Sequence, residues 1–284
     1  MTSAGSGLRR ACVIGWPVAH SRSPMIHGFW LARYGIDGSY ERAAVEPDQL
    51  EGFVHGLAGH GFVGGNVTLP YKEKAIALCA EASETARRLG AVNTLWLEDG
   101  RLLGDNTDGE GFLGALDQDA PGWDARSAPA VVIGAGGAAR AVVDALLVRG
   151  AERIVVVNRT RARAEDIAAR TGGRVACADW DARADVLGGA GLLVNTTSLG
   201  MVGQPPLEID LAALPARAVV CDIVYVPLET ELLRRARECG LRSVSGVGML
   251  LHQAVPGFRR WFGVTPVVTP DLRRRVEADI AASA

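Results

Sequence analysis

Three short polar clusters stand at the ends of apolar, strand-like runs: Ser21-Arg22-Ser23, Asn66-Val67-Thr68 with Lys72 four residues beyond, and Asn93 with Asn106-Thr107-Asp108. Side chains at strand ends of an open α/β sheet face the crevice where ligands bind. Hydroxyls and amides there suit a ligand carrying several hydroxyls and a carboxylate. Lys72, two residues past Pro70, falls in the first turn of an expected helix, where a cation sits unfavourably against the helix dipole. An ionised Asp108 nearby would hold the ammonium and offset the dipole. Each cluster also has a plain reading. Ser-x-Ser-Pro can be an N-cap, Asn66 and Thr68 can cap the helix opened by Pro70, Asn-Thr-Asp-Gly can be a turn, and Lys72 can be a surface lysine. It is their co-occurrence that favours a binding site.

A second chemistry opens in mid-chain. Ala130-Val-Val-Ile133 reads as a buried strand, and Gly134, Gly136 and Ala139 then fit Gly-x-Gly-x-x-Gly/Ala at a helix start. Gly134 lets the chain turn, Gly136 lets backbone approach a pyrophosphate, and Ala139 lets helix and strand pack closely. The helix N-terminus offers unpaired N–H donors for the phosphates. The following strand, Arg153 to Val157, ends in Asn158-Arg159-Thr160. An NAD enzyme would carry an acid there, which would repel a 2′-phosphate; Arg159, Thr160 and Arg163 can instead bind one. The cofactor indicated is NADP. The bland counterpart is an α/β domain with a glycine turn and a solvated basic run.

The elements needed to hold these groups follow from periodicity. Strands are expected at Arg10–Ile14, Tyr40–Val45, Gly61–Thr68, Val92–Leu97 and Arg101–Gly104, the last two joined as a hairpin through Asp99-Gly100. Helices are expected from Ser23, Pro47 and Pro70, and after Asn106-Thr-Asp-Gly109. Beyond a turn-rich stretch, Asp119 to Pro129, strands recur at Ala130, Arg153, Arg174, Leu192, Val219 and Arg242, with helical patterns between several of them, which argues for a parallel sheet. The segments Gly248–Trp261 and Asp271–Ile280 read as helical, with Pro256 expected to kink or split the first. Two lobes emerge, residues 1–107 and 108–245, with a cleft between them as the expected meeting place of substrate and cofactor.

Bulk properties narrow the classes. The chain has 284 residues, 48% hydrophobic and 22% charged, and a net charge of −2. Nothing suggests a nucleic-acid or membrane surface. Five scattered cysteines lack metal-type spacing, so no metal site is expected, and Cys12 and Cys221 sit in apolar strand-like runs as small core residues. No apolar run reaches membrane-spanning length, and Met1–Gly7 carries no hydrophobic signal core, which points to the cytoplasm.

The chain resembles the shikimate dehydrogenase family. The resemblance is carried by Gly15-Trp-Pro-Val-Ala-His-Ser-Arg-Ser-Pro24, Gly65-Asn-Val-Thr-Leu-Pro-Tyr-Lys72, Gly90-Ala-Val-Asn-Thr94, Gly104-Asp-Asn-Thr-Asp-Gly109, Gly134-Ala-Gly-Gly-Ala138 and Asn158-Arg-Thr160. It continues through Asn195-Thr-Thr-Ser-Leu-Gly200, Asp222-Ile-Val-Tyr-Val-Pro227 and Gly246-Val-Gly-Met-Leu250 with Gln253. It implies a two-lobed α/β enzyme, an N-terminal substrate-binding and catalytic domain (1–107) followed by a Rossmann-like NADP-binding domain (108–245). Residues 246–284 would pack back on the first. The implied reaction is reversible NADPH-dependent reduction of 3-dehydroshikimate to shikimate on the route to chorismate and aromatic amino acids.

By the same likeness, Ser21 and Ser23 bind the substrate carboxylate with Tyr225 close by. Asn66, Thr68, Asn93, Asp108 and Gln253 contact ring hydroxyls, and Lys72 and Asp108 form the catalytic pair. Gly134, Ala135, Gly136, Gly137, Ala138, Asn158, Arg159, Thr160, Arg163, Thr196, Ile223, Gly246 and Met249 line the cofactor. The partner implied is the small-molecule substrate, with a homodimer as the assembly allowed. Two departures stand out: Thr196, where alanine is usual, and Pro256 in a helix commonly continuous. The rival readings are a quinate/shikimate dehydrogenase of relaxed specificity, an inactive NADP-binding sensor, and a bilobed dehydrogenase acting on a folate.

Overall fold

The structure, a computed structural model, describes residues 8–125 and 127–283. The tail Met1–Gly7, read above as lacking a signal core, and Arg126 of the turn-rich stretch lie outside the described residues. The chain forms two compact units: the residues up to Thr107 with Ala254–Leu272, and Asp108–Gln253 with the residues from Arg273 onward.

The first unit runs β1 (Arg9–Gly15), α1 (Ser23–Tyr34), β2 (Gly38–Ala44), α2 (Leu50–His55), β3 (Phe62–Val67), α3 (Lys72–Leu78), β4 (Glu81–Ala82), α4 (Glu84–Leu89), β5 (Thr94–Glu98) and β6 (Arg101–Asp105). These strands make one sheet in the order β2-β1-β3-β5-β6-β4. β1 pairs in parallel with β2 and β3, whereas β5 runs antiparallel to β3 and β6. The β5–β6 hairpin turns through Asp99 (φ 51°) and Gly100 (φ 75°), the paired positive φ that a two-residue turn of this twist requires. β4 and α4 are too short for hydrophobic periodicity to register. Ser83 nonetheless starts α4 by accepting a hydrogen bond from the Ala86 N–H at 3.0 Å.

The second unit runs α5 (Asp108–Asp119), β7 (Ala130–Ile133), α6 (Gly137–Val148), β8 (Ile154–Val157), α7 (Arg161–Ala169), β9 (Val175–Ala178), β10 (Leu192–Asn195), β11 (Val219–Asp222), α8 (Glu231–Glu238), β12 (Arg242–Ser245) and α9 (Gly246–His252). Its sheet is parallel throughout, in the order β9-β8-β7-β10-β11-β12, the doubly wound order of a Rossmann domain. β7 and β8 are apolar at every position, and β10 and β11 at all but their last, because both faces are covered. Val132, Val156 and Val194 join one buried cluster, while the alternate Val131, Val155 and Leu193 join another.

The tail does not return to the first unit as one piece, contrary to the expectation for residues 246–284. Small residues let α9 lie closely on α5: a Cβ at Gly248 would stand 2.7 Å from that of Ala115, and one at Gly111 only 2.6 Å from the Gln253 Cβ. Arg273 pairs with Asp119 at 2.8 Å in the same unit. Only Ala254–Leu272 joins the first unit. There α10 (Ala254–Phe262) brings Trp261 over Gly64, whose missing Cβ makes room, and the indole N–H donates to the Leu95 carbonyl at 2.8 Å. The chain ends in α11 (Pro270–Ser283). The helical pattern around Pro256 is split, with the break at Gln253, so Pro256 falls in the first turn of α10, where its missing N–H breaks no intrahelical bond. Cys12 and Cys221 are buried, and burial pushes the Cys12 thiol up to about 12.

Candidate active site

In the first unit the polar clusters leave the carboxyl ends of β1 and β3, where the strand order β2-β1-β3 reverses direction. The two loops touch: a Cβ on Gly15 would lie 2.5 Å from the Thr68 methyl. Ser23 opens α1, but the N-cap position is Arg22 and no side chain caps the helix. The Ser21 hydroxyl instead accepts from the Ser23 N–H at 3.3 Å. Asn66 and Thr68 do not cap α3 either, whose N-cap position is Tyr71, again without a side-chain cap. The plain capping readings of these residues are therefore not what the fold uses.

Lys72 is the first residue of α3 and half-buried. Two bonds fix its backbone. The buried Tyr71 hydroxyl donates to the Val45 carbonyl at 2.6 Å, and the Lys72 carbonyl accepts from the Val92 N–H at 2.8 Å. Asp108 begins α5 and is also half-buried. It belongs to the second unit, as do Tyr225, half-buried beyond β11, and Gln253, whose Nε2 donates to the Leu250 carbonyl at 3.1 Å.

Asn66 and Asn93 come together directly, because β5 runs antiparallel to β3 and so begins where β3 ends. The Asn66 Nδ2 donates to the Asn93 carbonyl at 3.1 Å and to Thr94 Oγ1 at 3.2 Å, while its Oδ1 accepts from the Tyr40 hydroxyl at 2.6 Å. Asn93 Oδ1 accepts from Thr94 Oγ1 at 2.9 Å, the Thr107 N–H at 2.9 Å and Thr107 Oγ1 at 3.2 Å. Asn106 donates to the Ala91 carbonyl at 3.1 Å. Tyr40 and Thr94 belong to none of the polar clusters that spacing picks out. A tyrosine in a strand whose hydroxyl must find a partner on burial is the signal that points to the first. The His27 ring stacks on Tyr40 with centroids 4.0 Å apart, and burial pushes its pKa down to about 3, so the ring is neutral.

The second unit presents a different edge. Gly134 leaves β7 with φ 112°, and a Cβ there would meet Thr196 Oγ1 at 2.5 Å. Thr196, next to β10 across the reversal in strand order, turns its hydroxyl inward to the Ile133 carbonyl at 2.7 Å. Ala135 and Ala139 are buried, whereas Gly136 and Gly137 are exposed and a Cβ on either would meet nothing within 4 Å. Gly136 is the N-cap position of the 12-residue α6 and no side chain caps it. Open space above bare glycine backbone at an uncapped helix start fits a pyrophosphate. Ala138 follows, half-buried, in the first turn of α6.

At the end of β8, Asn158 Nδ2 donates to the Thr160 carbonyl at 2.8 Å and so shapes the turn into α7. Thr160 is the N-cap position of α7 but does not cap it with its side chain. Arg161 is taken by Glu165 and Asp179, both at 2.8 Å. Arg159 and Arg163 are exposed and, among the described residues, neither guanidinium has an ion-pair partner. Two uncommitted cations beside a ribose position fit a 2′-phosphate.

Beyond β10 and β11 the loops are held by a carboxylate that sequence reading missed as a site residue. Asp222 accepts from Asn195 Nδ2 at 2.9 Å, the Val224 N–H at 3.1 Å and Thr230 Oγ1 at 2.7 Å. It is fully buried, and burial pushes its pKa up to about 6 against the pull of those bonds. Its neighbour Ile223 lies under Gly246, where a Cβ would strike the Ile223 carbonyl at 2.2 Å. Met249, half-buried, follows on α9.

Known proteins resemble the chain over nearly its whole length. Residues 13–95 match the family described as "Shikimate dehydrogenase substrate binding domain", 117–199 "Shikimate / quinate 5-dehydrogenase", and 246–269 "Shikimate 5'-dehydrogenase C-terminal domain". The chain is 63% identical over 271 residues to the shikimate dehydrogenase (NADP(+)) of Methylocella silvestris, covering 95% of this chain and 96% of that one. Among solved structures, it is similar to the Thermus thermophilus shikimate 5-dehydrogenase in complex with NADP(H) and shikimate (TM-score 0.84, 37% identity, 96% of this chain and 100% of that one). It is similar also to the Corynebacterium glutamicum quinate dehydrogenase in complex with NAD (TM-score 0.87, 32% identity, 98% and 99%).

Proposed function

This chain belongs to the shikimate dehydrogenase family, and on that premise we propose that it catalyses the reversible NADPH-dependent reduction of 3-dehydroshikimate to shikimate in aromatic amino acid biosynthesis. The observation that carries this reading is the 63% identity to a shikimate dehydrogenase (NADP(+)) across nearly the whole of both chains. NADP rather than NAD is supported by Arg159 and Arg163, exposed and without an ion-pair partner among the described residues.

The glycine loop, Gly134 to Ala138, would hold NADPH, which would supply the hydride for the C3 carbonyl. In this reading the residues up to Thr107 are the substrate-binding and catalytic part. Lys72, as the ammonium, hydrogen-bonds the carbonyl oxygen and gives it the proton, and in the oxidation direction its neutral form takes that proton back. Asp108 orients the ammonium and holds a neighbouring hydroxyl. Ser21 and Ser23 receive the carboxylate with Tyr225, and Thr68, Asn93 and Gln253 meet ring hydroxyls. Asn66, whose amide is occupied by Tyr40, Asn93 and Thr94, retains one Oδ1 lone pair for the same task. General acid–base catalysis of this kind contributes about 10²–10⁴-fold, and the remainder comes from positioning.

No helix among the described residues is long and apolar enough to cross a membrane; the cytoplasm is the compartment proposed, and a homodimer the assembly, which light scattering reads directly. The activity is tested by initial rates of reduced-cofactor formation with shikimate or quinate paired with NADP⁺ or NAD⁺. Turnover confined to shikimate with NADP⁺ is expected. Comparable rates with quinate or NAD⁺ would move the chain to the relaxed relative, and absent turnover with tight NADPH binding would make it a sensor.

A further inference from the structure

The polar side chains joining β2, β3 and β5 in the first unit are almost without solvent: Tyr40 is 7% exposed, Asn66 5%, Asn93 2%, and Thr94 and Thr107 0%. Burying an amide is costly unless it is fully hydrogen-bonded, and an apolar side chain would fill the same space with no such requirement. What this network adds over an apolar filling is direction.

The groups that can only accept or only donate fix the direction of the rest. The Asn93 carbonyl can only accept, so the Asn66 Nδ2 must face it, which turns the Asn66 Oδ1 toward Tyr40 and makes the phenol the donor. The other Nδ2 proton of Asn66 points at Thr94 Oγ1, so the Thr94 hydroxyl sends its own proton onward, to Asn93 Oδ1 at 2.9 Å or to Thr107 Oγ1 at 3.4 Å, whose own proton can reach the same Asn93 oxygen at 3.2 Å. The Thr107 N–H, which can only donate, meets the same oxygen at 2.9 Å. Rotating the Asn93 amide by half a turn would set its N–H bonds against these donors.

We propose that Tyr40, Asn66 and Thr94 are positioning residues that lock the amide of Asn93 in one orientation, so that Asn93 meets a substrate hydroxyl as a hydrogen-bond donor through Nδ2. The proposal rests on the reading above that Asn93 touches the substrate. The same oxygen anchors the backbone of Thr107, the residue before Asp108, so one buried relay sets both the amide and the start of the segment carrying the proposed acid.

A double-mutant cycle tests it on the full-length enzyme, with steady-state rates in shikimate and NADP⁺ and a thermal melt for each variant. Tyr40→Phe is expected to raise the shikimate KM about five-fold, the effect of losing one hydrogen bond of ordinary net strength, with the NADP⁺ KM unchanged. In an Asn93→Ala background the same change should no longer move the shikimate KM, because the group it positions is gone. Thr94→Val should repeat the Tyr40→Phe pattern, and Thr94→Ser, which keeps the hydroxyl, should restore the wild-type KM. Multiplying effects of Tyr40→Phe and Asn93→Ala, or a parallel rise in both KM values, would overturn the relay while leaving the Asn93 contact standing. A wild-type shikimate KM in Asn93→Ala would overturn that contact and the relay with it.

Discussion

The two units recognise their ligands by different physics. In the first, the candidate substrate groups other than Lys72 are neutral amides and hydroxyls, and Asn66 and Asn93 among them are deeply buried and held by short hydrogen bonds such as Tyr40–Asn66 at 2.6 Å. In the second, the candidate cofactor edge is bare glycine backbone with exposed arginines, and its side chains turn inward, as Thr196 does toward the Ile133 carbonyl. A buried neutral network fixes geometry before the ligand arrives, which suits discrimination among small polyols. Open backbone and exposed cations suit a large polyanion, whose phosphates bring their own charge. Preorganisation is concentrated where the ligand is small.

The largest expected effect removes the one charge among the first unit's candidate substrate groups. Lys72→Ala should lower kcat by about 10²–10⁴-fold while the shikimate KM changes little. Steady-state rates in both substrates check it, and near-normal kcat would take Lys72 out of the chemical step. On the other unit, Arg159→Ala should reduce the preference for NADP⁺ over NAD⁺ by about ten- to a hundred-fold, the range of a charge-assisted hydrogen bond. An unchanged ratio of kcat/KM for the two cofactors would contradict the clamp.

Two smaller effects concern stability. Gly134→Ala places a Cβ at φ 112° and 2.5 Å from Thr196 Oγ1, which should cost about 1–3 kcal/mol. Urea unfolding measures it, and adding Thr196→Ala should recover only the steric part. Asp222 gives a pH signature. Its folded pKa is raised from 3.8 to about 6, first by burial. The stabilisation tied to its protonation is therefore fully present below about 4 and lost as pH rises through about 6. Relative to Asp222→Asn, the wild-type protein should gain up to roughly 3 kcal/mol as pH falls from 7 to 4. A pH-independent difference between the two unfolding free energies would show that the carboxyl titrates alike in both states.

Much of this was legible in the residues. β7, β10 and β11 begin where apolar patterning places them, and the Asp99-Gly100 turn declares itself, because each depends on local chemistry alone. The tail was misplaced because its partition depends on Gly111 and Gly248 admitting α9 beside α5, a contact between residues distant in sequence. Within the site, the strand-end amides and Lys72 stand out by type and spacing. Tyr40 and Asp222 did not, since what marks them is the partner each meets across the sheet, and pairing across strands is invisible to spacing.

The most direct test of the division between the units is a salt series on one enzyme preparation. Initial rates are taken with shikimate varied at saturating NADP⁺, then with NADP⁺ varied at saturating shikimate, as ionic strength rises. Exposed charges are screened and buried neutral hydrogen bonds are not, so the NADP⁺ KM should climb steeply while the shikimate KM stays nearly level. Parallel slopes for the two substrates would contradict the account.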